Sequence, residues 1–453
     1  MFLTRRQFAA LAAAAVAYPA GADTDSLYQL HWDLMFGDRA AVLAAIDAII
    51  ERGQPDMAAG VIQAMRFGRV PEPLLAGVLE VITGAQAGPG WFDWMLWQEA
   101  NPQVVPHASF TRIKRDVLLR IDPAFEDFLR PEYLARDRMK IRLEEITWGG
   151  VRKDGIPSLD APPLIAADEA DYLRDEDLVF GVAINGDVRA YPLRIMGWHE
   201  MFNEVIGGVP VALAYCTLCG AGVLFETGRD GETPFVFGSS GFLYRSNKLM
   251  FDRQTHSLWN QFTGRPVVGP LAESGIALRR RPVVIDTWRN WRAANPGTKV
   301  LSLRTGYLRN YGPGVVYSDY FASPDLMFPA AVDETRQRQK DYVFGVQTLG
   351  AAKAWPLDAF AGGRVINDAV GATPLVLIGA AETRSVRAYA REAGETFETG
   401  ADGLVTPDGT DWTVTEAALV AADGRRRDRV AGHVAYWFAW DGYLGEAAEL
   451  YEG

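Results

Sequence analysis

A chain of 453 residues with a formal net charge of −12 is long enough for roughly two to four domains. That acidity argues against a nucleic-acid partner, whose phosphates call for a basic surface. Hydrophobic residues make up 49% and charged residues 23%, the balance of an ordinary globular protein.

The first 22 residues contain "LTRRQFAALAAAAVAYPAGA". Arg5 and Arg6 precede a short apolar run from Phe8 to Tyr18, and Ala20-Gly21-Ala22 follows as an A-x-A cleavage site. This is the layout of a cleavable signal peptide, and "TRRQFA" fits the twin-arginine type, whose substrates cross the membrane folded. The apolar run is too short to span a bilayer, and no later stretch is long and apolar enough to do so. A soluble periplasmic protein starting near Asp23 is expected.

Residues 23–145 read as a helical domain. In "DRAAVLAAIDAIIERG", Val42, Ile46, Ile49 and Ile50 share one face, with Asp38 to cap the start and Gly53 the end. Leu75, Val78, Leu79 and Ile82 repeat that spacing after Pro73. His31 and His107 fall in this region and are assigned no role. Residues 146–164, with "GGVRKDGIPSLDAPP", read as a Gly/Pro-rich linker loop.

Strand patterns begin beyond it. "LVFGVAINGDVRAYPL" carries an Asn185-Gly186 turn between two β-rich runs, a hairpin signal. A short helix, "RIMGWHEMFNEVI", and a strand, "VPVALAYC", are expected next. The same order recurs 164 residues later. Phe180 and Phe344, Pro192 and Pro356, and Asn203 and Asn367 keep that offset, and twelve of 37 ungapped positions from Val179 and Val343 are identical. Roughly two or three would match by chance composition. Each copy ends in a W-x-x-W stretch, Trp288/Trp291 and Trp437/Trp440. The expected architecture is α+β: an N-terminal α-helical domain followed by two tandem repeats, 165–330 and 331–453, each a mostly antiparallel β-rich α+β domain.

The copies differ where chemistry is concerned. His199 aligns with Gly363, Cys216 with Ala380 and Cys219 with Thr383. Any chemistry therefore belongs to the first copy. Cys216 and Cys219, the only cysteines, form a C-x-x-C in "AYCTLCGAGVLFE". A thioredoxin-type dithiol sits at a helix N-terminus, whose dipole lowers the thiol pKa. Here strands flank the motif and Gly220 follows it, which resembles the metal knuckle of rubredoxins and zinc ribbons. A knuckle of two thiolates needs further ligands.

His199, on the helix before the cysteine strand, is one candidate. In "SNKLMFDR", strand alternation sets Met250 on the face of Lys248 and Asp252, opposite Leu249 and Phe251. Met250 is thus a second candidate, and Asp252, Glu200 and Tyr215 are candidates to support the site. His256 is expected at a turn, exposed rather than bound. Two thiolates, an imidazole and a thioether are a soft set that favours copper, with zinc second. An oxidised Cys216–Cys219 pair in a non-catalytic binding or interaction protein is the alternative, and a thiol oxidoreductase is the third reading. Ser239 and Ser240 in "FGSSG" do not form a G-x-S-x-G.

"GGVRKDGIPSLD", "AYPLRIMGWHEMFNEVIGGVPVALAYCTLCGAGVLFE", "FGSSGFLYRSNKLMFDRQTHSLWNQFTGRPVVGPL" and "AKAWPL" closely resemble exported bacterial proteins catalogued as domain of unknown function 3179. The resemblance runs from about residue 145 to 440, and Y-C-x-L-C-G is its most specific motif. It implies a fold unit and motif positions, and no reaction. His199, Cys216, Cys219, Met250 and Asp252 match its pattern, whereas His256 stands where a glycine or another small residue is expected. The small-molecule or protein partner is left open.

Overall fold

The computed structural model describes residues 24–453, apart from 230, 401–402 and 446–447. The export signal read in residues 1–22 lies outside them. The chain divides between Thr147 and Trp148 into two compact units.

The first unit is helical, with α1 (Thr24–Phe36), α2 (Arg39–Arg52), α3 (Ala58–Phe67), α4 (Glu72–Thr83), α5 (Trp91–Ala100) and α6 (Ser109–Ile121). Asp38 caps α2 by accepting the Ala41 N–H at 2.9 Å, and Gly53 ends it at φ 59°. Side-chain capping at the start and a left-handed glycine at the end satisfy the helix's orphan backbone groups. Ile46, Ile49, Leu75, Val78, Leu79 and Ile82 are buried, so the periodic faces form the core. His31 is wholly buried, with burial pushing its imidazole down to about 4. Gly60 makes room for that ring, because a Cβ there would lie 2.1 Å from Nε2.

The second unit is built from antiparallel hairpins. β1 (Leu178–Ile184) and β2 (Asp187–Pro192) turn at Asn185 and Gly186, with φ of 50° and 83°, the left-handed pair that a tight hairpin turn demands. Then α7 (Leu193–His199) runs until Glu200 adopts φ 55°. The helix expected to continue to Ile206 ends there. Met201–Ile206 is instead a strand, β3, paired antiparallel with β4 (Val209–Cys216). The Gly207-Gly208 turn, with φ of 53° and 81°, makes the hairpin. Phe202, Glu204 and Ile206 are buried while Val205 is 57% exposed, a period of two that no helix can satisfy. β5 (Ala221–Glu226) pairs with the far side of β4. A meander of β6 (Phe237–Tyr244), β7 (Asn247–Asp252), Leu258–Asn260 and Arg265–Val268 lies beyond it in the chain.

The later segment has its own hairpin of β8 (Tyr342–Thr348) and β9 (Ala351–Pro356) and a 3-10 turn at Leu357–Phe360. β10 (Arg364–Val370), β11 (Thr373–Ala380) and β12 (Ser385–Ala390) then pair in series. Val284–Thr287 pairs with β1, and β13 (Gly432–Tyr436) pairs with β8. Phe180, Tyr191, Phe202 and Leu213 from the earlier segment share one apolar cluster with Phe344, Trp355, Phe360 and Leu377 from the later one. The described molecule is thus a mixed α+β protein. The stretch read as a linker is woven into the second unit: Gly149 N–H donates to Gly241 O at 2.8 Å and Asp154 N–H to Ser239 O at 2.9 Å.

Candidate functional site

β4 and β5 are joined by a turn over Thr217–Gly220, closed by Cys219 N–H to Cys216 O at 3.2 Å and Gly220 N–H to Thr217 O at 3.2 Å. Gly220 sits at φ 60°, and a Cβ there would meet the Tyr342 ring at 2.8 Å. Only glycine meets both demands without strain. The turn's remaining carbonyls are taken up as well. Tyr320 Oη donates to Leu218 O at 2.7 Å, and Tyr436 N–H donates to Cys219 O at 2.8 Å. The two sulfurs are bonded to each other, with the Cα atoms 5.2 Å apart. Cys216 is 2% exposed and Cys219 0%.

Cys216 forms part of the wall of a small recess, together with Glu200, Thr217, Ser239, Lys248 and Tyr317. A buried ion pair stands in that wall. Glu200 Oε2 lies 2.6 Å from Lys248 Nζ, and Glu200 Oε1 accepts from Thr217 Oγ1 at 2.8 Å and Tyr317 Oη at 3.4 Å. Lys248 Nζ also donates to Ser239 Oγ at 3.0 Å. Tyr215 runs alongside, its N–H donating to Glu200 O at 2.7 Å and its ring edge-on to Phe180. Burial pushes the phenols of Tyr215 and Tyr317 up, so both remain protonated donors.

The other expected ligands have different tasks. His199 is buried, with Nδ1 2.9 Å from Pro157 O and Nε2 2.7 Å from Tyr311 Oη. A carbonyl only accepts, so Nδ1 carries the proton and Nε2 accepts from the tyrosine. Burial lowers the His199 pKa, which keeps this neutral tautomer. Met250 is fully buried in an apolar cluster with Met201, Phe235, Phe237 and Trp259. The expected alternation holds: Lys248 reaches Ser239 Oγ, Met250 pairs with Ser239 and Trp259, and Asp252 bonds Trp259, all on one face. Asp252 organises the following turn, accepting from Thr255 N–H at 2.6 Å, Thr255 Oγ1 at 2.8 Å and Trp259 Nε1 at 2.8 Å. His256 is half-buried at φ 58°, a backbone conformation that explains why a glycine suits the position.

The structure therefore brings Cys216, Cys219, Glu200 and the Tyr215 backbone together, and leaves His199, Met250 and Asp252 in separate roles. In this arrangement the four expected metal ligands do not fit a resident copper or zinc ion. Both sulfurs are bonded to each other, both imidazole nitrogens are engaged, and the thioether lies among aromatic rings. Among the described residues there is no group of three or more His, Cys, Asp or Glu placed to hold a metal ion.

Sequence reasoning passed over Lys248, Thr217 and Tyr317. Lys248 is one of two charges, with Asp252, in a strand whose residues are all buried. A buried lysine needs a partner.

A protein-family profile described as protein of unknown function (DUF3179) matches residues 153–447. The chain belongs to the DUF3179 family. The match takes in the hairpins of both segments and the Cys216–Cys219 turn, and brings no reaction with it. No match is found among curated proteins or among solved structures.

Proposed function

We propose that the protein is a thiol–disulfide redox protein, with Cys216 and Cys219 as its redox pair. One observation carries the reading: a disulfide in the wall of a recess that also holds a buried, hydrogen-bonded Glu200–Lys248 pair. Linking residues three apart closes so small a loop that the chain-entropy gain is about 2 kcal/mol, against roughly 5 kcal/mol for a hundred-residue loop. Stability alone is a weak reason for such a bond. Cys216 and the Glu200–Lys248 pair line the same recess, which places a carboxylate and an ammonium in the cavity that the disulfide borders. In the net reaction a dithiol is oxidised to its disulfide while Cys216–Cys219 accepts two electrons and two protons.

Our reading of residues 1–22 as a twin-arginine signal supplies an oxidising periplasm, where a disulfide persists. Among the described residues, no helix is long and apolar enough to cross a membrane.

The duplication belongs to the same reading. Gly181 leaves room for Trp291 and Gly345 for Trp440, since a Cβ would come within 2.2 Å and 2.0 Å of those rings. Asn203 brackets the Phe237 backbone at 2.8 and 2.9 Å, and Asn367 brackets Phe397 at 2.9 and 2.8 Å. These paired devices support two copies of one unit, the first holding the redox pair and the second lacking it.

The test is native-state reduction with dithiothreitol, followed by alkylation and mass measurement. Both thiols are expected to appear without denaturant, Cys216 labelling faster than Cys219, and Cys216→Ser is expected to abolish exchange. A bond that yields only in denaturant would make it structural and end the redox reading. One tight equivalent of copper or zinc on the reduced protein would instead establish the metal reading.

A further inference from the structure

Glu200 and Lys248 are 7% and 3% exposed, and an ion pair removed from water is a poor source of stability. Glu200 also ends α7 at φ 55°, its N–H donating to Met196 O, a left-handed cap position that a glycine fills most easily. The fold does not ask for this pair. The offset of 164 sets Arg364 opposite Glu200, Ala380 opposite Cys216, Ala381 opposite Thr217 and Thr383 opposite Cys219. Strand pairing keeps that correspondence: Met201 faces Ala214, and Val365 faces Ile378. Asn203 and Asn367, which serve the hairpins, persist in both segments. The carboxylate and the threonine disappear together with the cysteines. They belong to the disulfide, not to the sheet.

We infer that the Glu200–Lys248 pair stores the proton of the exchange at Cys216, with Thr217 orienting the carboxylate. This rests on the redox reading above. The first thiol of a dithiol substrate gives its proton to the Glu200 carboxylate and bonds through sulfur to Cys216 Sγ, the sulfur on the recess. The Sγ–Sγ bond breaks, and Cys219 leaves with the electron pair and takes up that proton. Its thiol then has Ser246 O, 3.8 Å from Sγ, as acceptor. The second substrate thiol attacks the first substrate sulfur and displaces Cys216, and its proton passes by the same carboxylate to Cys216. The substrate loses two electrons and two protons, and the protein gains them. Lys248 Nζ holds Oε2 at 2.6 Å, and Thr217 Oγ1 fixes Oε1 at 2.8 Å, so the carboxylate is set in place for the transfer.

The experiment follows exchange between the full chain and dithiothreitol from pH 5 to 9, by acid quench, alkylation and mass measurement. Glu200→Gln is expected to slow exchange at pH 7 about tenfold or more and to change the shape of its pH profile. Thr217→Val, which removes one hydrogen bond and leaves the ion pair, is expected to slow it in the same direction but less. Glu200→Asp is expected to keep the wild-type profile shape at a reduced rate. If folded wild type does not exchange at all, the redox reading fails and takes this inference with it. If wild type exchanges and Glu200→Gln matches its rate and profile, the proton-store role is overturned while the redox reading stands. Should Glu200→Gln not fold, Thr217→Val decides, and an unaltered rate and profile there overturns the role.

Discussion

His433 shows how a single buried side chain ties the fold to pH. It is wholly buried against Phe262 and Trp440, with ring centroids 5.1 and 5.6 Å away. Burial first, and the Arg280 charge second, push its imidazole down to about 3. Its pKa is thus lower in the folded protein than the ordinary 6.5 of the unfolded chain. Above pH 6.5 both states are neutral and stability is fully present. As the pH falls below 6.5 the unfolded state takes up a proton that the folded state refuses, and stability drops until the pH nears 3. The expected loss is roughly 1.4 kcal/mol per pH unit. Urea unfolding of wild type and His433→Leu at pH 7, 6 and 5 checks this, the variant showing a shallower decline. The same chemistry accounts for the outcome at His199. Its sequence neighbourhood marks a buried imidazole, but the partners that claim both nitrogens, Pro157 and Tyr311, lie 42 and 112 residues away.

At the scale of elements, the hairpins after residue 178 were legible because turn chemistry is local. Asn185-Gly186 announced the first, and Gly207-Gly208 carries an equally local signal for the second. The helix expected from 194 to 206 stops at His199, because the residues beyond it alternate as a strand does. Asn203 is what locks the resulting hairpin. Its side chain accepts the Phe237 N–H and donates to the Phe237 carbonyl, as Asn367 does at Phe397. Asn203→Ala strips the Phe237 N–H and carbonyl of this partner, and Asp160 Oδ1 of a donor at 2.6 Å, and is expected to cost ~2–4 kcal/mol. Asn367→Ala is expected to cost a similar amount. Denaturant midpoints of the two variants, read at an unchanged m-value, test the prediction and with it the equivalence of the two hairpins.

For the second unit as a whole, the two segments are joined by charge as well as by the shared apolar cluster. Arg387 donates to Glu416 at 2.7 and 2.9 Å and to Asp286 at 3.2 Å. Asp286 comes from the earlier segment and the other two from the later one. The arginine is 14% exposed and the carboxylates are 6% and 11% exposed, so salt screens them little. Arg387→Met leaves Glu416 its pair with Arg429 but takes the arginine from Asp286, and is expected to destabilise the protein by about 3 kcal/mol. The loss should be nearly the same in 0.1 and 1 M sodium chloride. Calorimetry at both salt concentrations measures it, and the Cys216–Cys219 exchange rate before unfolding serves as the control for an intact site.

The sequence by itself determined what depends on neighbours along the chain: the amphipathic helices before residue 147, their caps, the hairpin turns, and a 164-residue echo whose second member lacks the cysteines. It also located the C-x-x-C between two strands and the family to which the chain belongs. Tertiary structure alone decided what the cysteines face. Glu200, Thr217, Ser239, Lys248 and Tyr317 are drawn from a helix end, a turn, two strands and a loop spread over more than a hundred residues. Period and propensity describe one element at a time, so they carry no record of which strand lies across from which. Lys248 and Met250 stand two apart on one face of one strand, yet the lysine meets Glu200 and the methionine meets the aromatic core. That difference rests on the packing of rings and the pairing of a buried charge, which exist only once the sheets have closed.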